Sequence, residues 1–215
     1  MKDCLKKTQC IIFDFDGVLA DTEKGRFNQL SRLLLQRGIR LGERCREKDL
    51  FGLSTSAFLR KFFPEMSERE IEEITYIRHS DYLNNLPSYC IPYPYTGETV
   101  KELQKRGYRL VLATANETQA IPVLLKHIGL NGEFSSVYGR EIMEDSNGDK
   151  SYYFLSQKME YPPASCVVIE DSLVGVKAAK KAGYFTIAMN RYGDTQIIQT
   201  ADMAVNNLNE LLNLF

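Results

Sequence analysis

Two aspartates separated by one residue, Asp14 and Asp16, follow the apolar run Ile11-Ile12-Phe13 and precede Gly17. An apolar run broken by a turn residue reads as a buried strand that delivers two carboxylates to its C-terminal edge. That edge is where open α/β sheets place their ligands. Two like charges so close repel by roughly 4 kcal/mol at 4 Å with an effective dielectric near 20. A chain that keeps both is expected to hold a cation between them, or to keep one of them protonated. Three more polar groups stand in comparable places. Thr114-Ala115-Asn116 ends the run YRLVLAT, Glu170-Asp171 ends the run CVVIE, and Lys150 closes a polar loop over 144–150 ahead of a helical stretch. Strand ends converge in a parallel sheet, so these groups can meet although they lie far apart in the chain. Carboxylates alone repel a phosphate, whereas carboxylates around Mg²⁺, with a lysine and a hydroxyl, bind it. Plainer alternatives stand beside this: a helix cap for the aspartates and for Glu170-Asp171, a strand-end hydroxyl for Thr114, and a solvated surface cation for Lys150.

The elements that must position these groups alternate between strand and helix. The patterns predict a helix over 97–106 ended by Gly107, a strand over 108–114, a helix over 116–128 that contains Pro122, and a short strand over 136–138. They continue with a helix over 151–159, strands over 166–170 and 184–189 around a helix over 172–182, then a strand over 202–205 and a helix over 207–214. The fold class expected is α/β, a Rossmann-like three-layer core with a parallel sheet, plus an inserted all-helical cap domain. The alternation lapses over 23–91. There Phe27, Leu30, Leu33 and Leu34 make a helical stripe ended by Gly38, and 54–63 reads as a second helix. Ser67 and Glu70 form a capping box ahead of Ile71, Ile74 and Ile77. A segment with three prolines over 86–94 reads as the return linker. The expected division is therefore a core from 1–22 and 92–215, with a helical cap over 23–91 placed at the catalytic edge.

The segments D-x-D-G-V-L-x-D-T (Asp14–Thr22), the strand-ending Thr114, the loop Lys150 and I-E-D-S-x-x-G-V-x-A-A-x-x-A-G (Ile169–Gly183) resemble, in order, the four motifs of the haloacid dehalogenase superfamily. The variant resembled is the β-phosphoglucomutase-like and phosphatase group with a helical cap after the first strand. The resemblance implies that Asp14 is a nucleophile forming an aspartyl-phosphate, and that Asp16 protonates the leaving alcohol and then activates water. It implies a Mg²⁺ site from Asp14, Asp16 through its backbone carbonyl, and Asp171, with Glu170 a ligand or a neighbour of one. Thr114, the Ala115 backbone N–H and Asn116 would hold the phosphoryl oxygens, and Lys150 would balance charge there. Lys150 is followed by Ser151-Tyr152-Tyr153 where the family commonly has proline. Asp21 and Thr22 are expected to close the turn and enter the cap.

Within the family, Asp16 argues against a dehalogenase, which lacks the second aspartate. A phosphonate hydrolase would want a Schiff-base lysine in the cap, for which Lys24 is the nearby candidate. Mutases of the β-phosphoglucomutase type carry a histidine just after D-T/S, and Arg26 stands there instead. Lys24 and Arg26 are thus placed to meet an anionic substrate. The stretch Leu50-Phe51-Gly52-Leu53-Ser54-Thr55 resembles the cap loop that reads substrate, Gly52 allowing close backbone approach. The expectation is a Mg²⁺-dependent phosphatase acting on a small phosphorylated metabolite, a sugar or short-acid phosphate. A sugar-phosphate mutase and a catalytically idle phosphate-binding protein are the alternatives.

Composition narrows the classes further. The 215 residues are 44% hydrophobic and 26% charged, with a net charge of −1 and no basic stripe, which argues against nucleic acid as the main partner. No apolar run reaches the roughly 18 residues of a membrane span, and the first residues are too polar for a signal peptide. Five scattered cysteines without a C-x-x-C suit reduced thiols and a cytoplasmic location. Cys10 and Cys166 read as buried structural thiols. His79 and His127 read as structural or solvated. A monomer is the default expectation.

Overall fold

The computed structural model describes residues 5–50, 53–144 and 151–215. Lys150 and Gly52 lie outside the described residues. The strands are β1 (Cys10–Phe13), β2 (Ala20–Asp21), β3 (Ile91–Pro92), β4 (Arg109–Ala113), β5 (Ser136–Tyr138), β6 (Cys166–Glu170), β7 (Phe185–Met189) and β8 (Met203–Val205). The α-helices are α1 (Glu23–Leu35), α2 (Thr55–Phe62), α3 (Glu68–Asn84), α4 (Thr96–Lys105), α5 (Ile121–His127), α6 (Arg140–Met143), α7 (Tyr152–Lys158), α8 (Leu173–Lys181) and α9 (Thr195–Thr200). Every side chain of β1 and β6 is buried, as expected of parallel strands covered on both faces.

Six strands form one sheet in the order β5-β4-β1-β6-β7-β8, and each neighbouring pair is parallel. From β1 the chain builds outward to β4 and β5, then returns to lay β6, β7 and β8 on the other side. The reversal falls between β1 and β6, and the crevice outside the strand ends at such a point is where a doubly wound sheet takes its ligand. Register sets the depth of the site. Phe13 pairs with Leu112 on one side and Ile169 on the other, so the next residues, Asp14, Ala113 and Glu170, stand at one level. On one face Ile12, Val111 and Val168 pack with Tyr152 and Leu155 of α7 and Ala179 of α8.

The chain divides into two compact units, Met1–Ala20 with Pro92–Phe215, and Asp21–Ile91. The second unit has its own core, in which Leu30 and Leu34 of α1 meet Phe58 and Leu59 of α2 and Ile71 and Ile74 of α3. The Ser67–Glu70 capping box is formed, each side chain bonding the other's backbone N–H at the start of α3. Cys10, Cys45, Cys90 and Cys166 are buried, and no disulfide joins them among the described residues. Among the described residues no helix is long and apolar enough to cross a membrane.

Three of the elements that differ from the sequence patterns have a plain local cause. The helix expected over 116–128 begins at Ile121, because Pro122 falls in its first turn, where its missing N–H costs nothing. Residues 116–120 are thereby left outside the helix, and Asn116 bonds elsewhere, as described below. The last segment, Leu208–Asn213, is a 3₁₀ helix rather than an α-helix. Its buried leucines, Leu208 and Leu211, are three apart and therefore lie on one edge at three residues per turn. Helix α9 was not expected, since Ile197 alone is buried. Its start is nonetheless marked by Asp194, whose side chain accepts from the backbone N–H groups of Gln196 and Ile197.

Candidate active site

The end of β1 fixes Asp14. Its backbone N–H continues the ladder to the Ile169 carbonyl at 3.0 Å, and its Oδ1 accepts from the Phe15 N–H at 2.8 Å. The chain then folds back on itself. The N–H groups of Leu19 and Ala20 both reach the Phe15 carbonyl, and the Gly17 N–H reaches the Ala20 carbonyl. Gly17 has φ +70°, and a Cβ there would stand 1.6 Å from Asp171 Oδ2. Glycine is required twice over, for the left-handed backbone and for the close approach to a carboxylate.

Asp14, Glu170 and Asp171 each offer a carboxylate oxygen, and these atoms lie within 4.8 Å of one another. Asp14 is 6% exposed and Glu170 0%. Carboxylates gathered at so short a range repel one another unless a cation lies between them, and hard carboxylate oxygens are the donors that Mg²⁺ takes. The residues present therefore fit a divalent metal. Asp16, expected to meet the metal through its backbone carbonyl, is half-buried, and its carboxylate lies outside this group. Its Oδ2 accepts from Asn116 Nδ2 at 2.6 Å.

Glu170 is held more completely than any sequence pattern indicated. Oε2 accepts from the N–H groups of Asp171 (3.0 Å) and Ser172 (3.2 Å) and from Ser172 Oγ (3.1 Å). Oε1 accepts from the Tyr152 hydroxyl at 3.0 Å. Ser172 also caps α8 by accepting from the Gly175 N–H, so the helix start and the carboxylate share one hydroxyl. A Cβ on Gly175 would fall 2.0 Å from Glu170 Oε1. Tyr152 is the participant that sequence reasoning missed. A buried tyrosine hydroxyl requires a partner, but nothing in the pattern over 151–159 says that the partner is Glu170.

At the end of β4, Thr114 is fully buried. Its Oγ1 accepts from the Asn116 backbone N–H at 3.2 Å and from Asn116 Nδ2 at 3.0 Å. The Asn116 amide thus bridges Thr114 and Asp16. The loop is gripped from β5 onward by Arg140, whose Nε donates to the Ala115 carbonyl at 3.0 Å and whose backbone N–H donates to the Asn116 carbonyl at 2.8 Å. The strand order brings together Asp14, Asp16, Thr114, Ala115, Asn116, Glu170 and Asp171. Lys150 lies outside the described residues.

In the second unit, taken by itself, Arg26 and Arg78 are of unequal standing. Arg26 Nη1 pairs with Glu23 at 2.5 Å, and its Nη2 donates to the Leu53 carbonyl at 3.3 Å. Arg78 is 8% exposed and donates to Thr55 Oγ1. Its Nε is buried and has no hydrogen-bond partner among the described residues. Burial first, and then the neighbouring Arg26 charge, lower its guanidinium pKa to about 10.

The model of the haloacid dehalogenase-like hydrolases matches residues 11–189. The chain belongs to this family. Among relatives of this haloacid dehalogenase-like hydrolase, YhcW of Bacillus subtilis (strain 168), provisionally named a phosphatase, is 26% identical over 94% of this chain and 93% of its own. The β-phosphoglucomutase of the same organism is 24% identical over 94% of each chain. A solved haloacid dehalogenase-like family protein of Streptococcus pneumoniae, SP0104, superposes with a TM-score of 0.81 at 19% identity, covering 97% of this chain and 98% of that one. That likeness establishes the shared fold.

Proposed function

We propose that the protein is a Mg²⁺-dependent phosphatase that hydrolyses a small phosphomonoester, a sugar or short-acid phosphate, through an aspartyl-phosphate. The observation that carries this is the unequal placement of the two aspartates. Asp14 belongs to the group of three carboxylates, while the Asp16 carboxylate is turned to Asn116. One suits attack on phosphorus beside a metal, and the other suits proton transfer.

In this mechanism an Asp14 oxygen attacks phosphorus in line, and the bond to the leaving alkoxide breaks as Asp16 gives that oxygen a proton. Asp16 then takes a proton from water, which attacks the phosphorus of the aspartyl-phosphate and frees Asp14 and inorganic phosphate. Thr114 Oγ1, the Ala115 N–H and the Asn116 amide hold the phosphoryl oxygens, with Lys150 as a balancing cation. Asp14, Asp171 and Glu170, with the Asp16 carbonyl, would hold Mg²⁺, whose contribution is to offset charge on the phosphoryl oxygens.

A sugar-phosphate mutase is the second reading, favoured by the similarity to a β-phosphoglucomutase across nearly the whole chain. Arg26 weighs against it, because it stands where those enzymes carry a histidine and is already engaged by Glu23 and the Leu53 carbonyl. The test is turnover of p-nitrophenyl phosphate with and without Mg²⁺. Hydrolysis that needs Mg²⁺ and disappears in Asp14→Asn supports the phosphatase. Absent or Asp14-independent activity refutes it, and absent activity leaves an idle phosphate-binding protein. Glucose 6-phosphate formed from β-glucose 1-phosphate and a bisphosphate primer would establish the mutase.

A further inference from the structure

We infer that Arg191 is a positioning residue for this reaction, clamping the turn that carries Asp16 and Gly17; the inference rests on the proposed phosphatase chemistry. Arg191 lies just beyond β7, more than 170 positions from that turn, and no motif draws attention to it. Its Nε donates to the Gly17 carbonyl at 3.1 Å, and its Nη2 donates to the Val18 carbonyl at 3.0 Å. The guanidinium carbon lies 3.5 Å from the centroid of the Tyr93 ring, so the fork is fixed face-on by an aromatic ring and edge-on by two successive carbonyls.

The turn needs this from outside. Its internal bonds use the carbonyls of Phe15 and Ala20, and no backbone N–H among the described residues reaches those of Gly17 or Val18. Both residues are buried, and buried carbonyls require donors. The clamp acts where displacement matters most. Gly17 follows Asp16 directly and lies so close to Asp171 that its missing Cβ would overlap that carboxylate. Loosening the Gly17 carbonyl would therefore shift the proton-transfer group and the backbone wall behind one member of the acidic group together. The phosphate-holding loop Thr114–Asn116 is braced separately by Arg140, so the loss should fall on the chemical step and spare substrate binding. Lysine cannot substitute, because a single ammonium does not reproduce the two-pronged, ring-stacked geometry.

The experiment compares wild-type protein, Arg191→Lys and Tyr93→Leu by p-nitrophenyl phosphate kinetics across pH, by amide hydrogen exchange of the segment 15–20, and by thermal unfolding. Misplacement of about 1 Å can cost on the order of 100-fold in rate. Arg191→Lys should lose about 30- to 100-fold in kcat with KM within about two-fold, with a displaced limb of the pH–kcat profile and at least about tenfold faster exchange at 15–20. Tyr93→Leu should show the same pattern at smaller amplitude, with both variants melting within a few degrees of wild type. Faster exchange with unchanged kcat and pH profile would make Arg191 a purely structural support and overturn the inference, as would unchanged exchange. A rise in KM alone would also overturn it. Inactive wild-type protein instead overturns the phosphatase reading, so the two failures are told apart by the wild-type arm.

Discussion

Glu170 and Arg78 are both buried charges, one in each unit, and they are treated in opposite ways. Four donors converge on Glu170, three of them from the two residues that follow it. Among the described residues, Arg78 has a single hydroxyl, from Thr55, and a buried Nε without a partner. Its pKa is pulled down to about 10, with burial the main cause. Removing an ion from water costs several kcal/mol unless its bonds are replaced. At Glu170 the replacement is complete, so the carboxylate is part of the framework of the sheet edge. At Arg78 it is partial, so the guanidinium is a burden on the fold of the second unit. The contrast teaches that a buried charge must be judged by its donors and acceptors rather than by its depth.

The sharpest challenge to this contrast is catalytic. Asp14→Asn should lower kcat by at least on the order of 10³-fold while leaving the melting temperature unchanged or higher, since it relieves repulsion within the acidic group. A marked drop in stability would mean that Asp14, like Glu170, belongs to the framework. Next comes the metal. Mg²⁺ at about a hundred times its Kd should stabilise wild-type protein by about 2.7 kcal/mol in thermal melts, and Asp171→Asn should abolish most of that gain. Glu170→Gln should cost about 1–3 kcal/mol, because its amide NH₂ would face donors where an oxygen now accepts; urea unfolding at constant m-value measures it. Arg78→Met should change stability by no more than about 0.5 kcal/mol or raise it, and a loss comparable to that of Glu170→Gln would erase the contrast.

The smallest effect is a pH dependence within the second unit. The Tyr89 hydroxyl, together with Gln29 and Asn85, holds the Asp81 carboxyl below its ordinary value of 3.8. A lowered carboxylate pKa contributes stability that is present above the unfolded value and lost as pH falls through the folded one. Wild type should therefore be the more stable protein near neutrality, and its melting temperature should converge on that of Asp81→Asn below about pH 4.

Much of the site could be read from the chain because it is built from strand ends. An apolar run followed by a carboxylate marks Asp14 and Glu170, and the parallel alternation makes their convergence a matter of topology. The capping box at Ser67 was legible for the same reason, being complete within four residues. What could not be read is what depends on partners remote in sequence. Tyr152 meets Glu170 across 18 positions and Arg191 meets Gly17 across 174, and local periodicity carries no information about either. The start of α5 failed to match for a different reason. The apolar spacing extends back toward Asn116, but Pro122 and the bonds of the Asn116 amide to Thr114 and Asp16 together place the helix start later.

The register of β1 against β6 has a practical corollary. Phe13 faces Ile169 across the ladder, and a slip of one residue would exchange the two buried faces of the strand and move the carboxylate at its end away from the level of Glu170. Such a chain would hide its error in bulk spectroscopy, because sheet and helix content would barely change; its catalytic edge would nonetheless be gone. Specific activity per mole of soluble protein then becomes a gauge of refolding fidelity, one that reads strand alignment to a single residue.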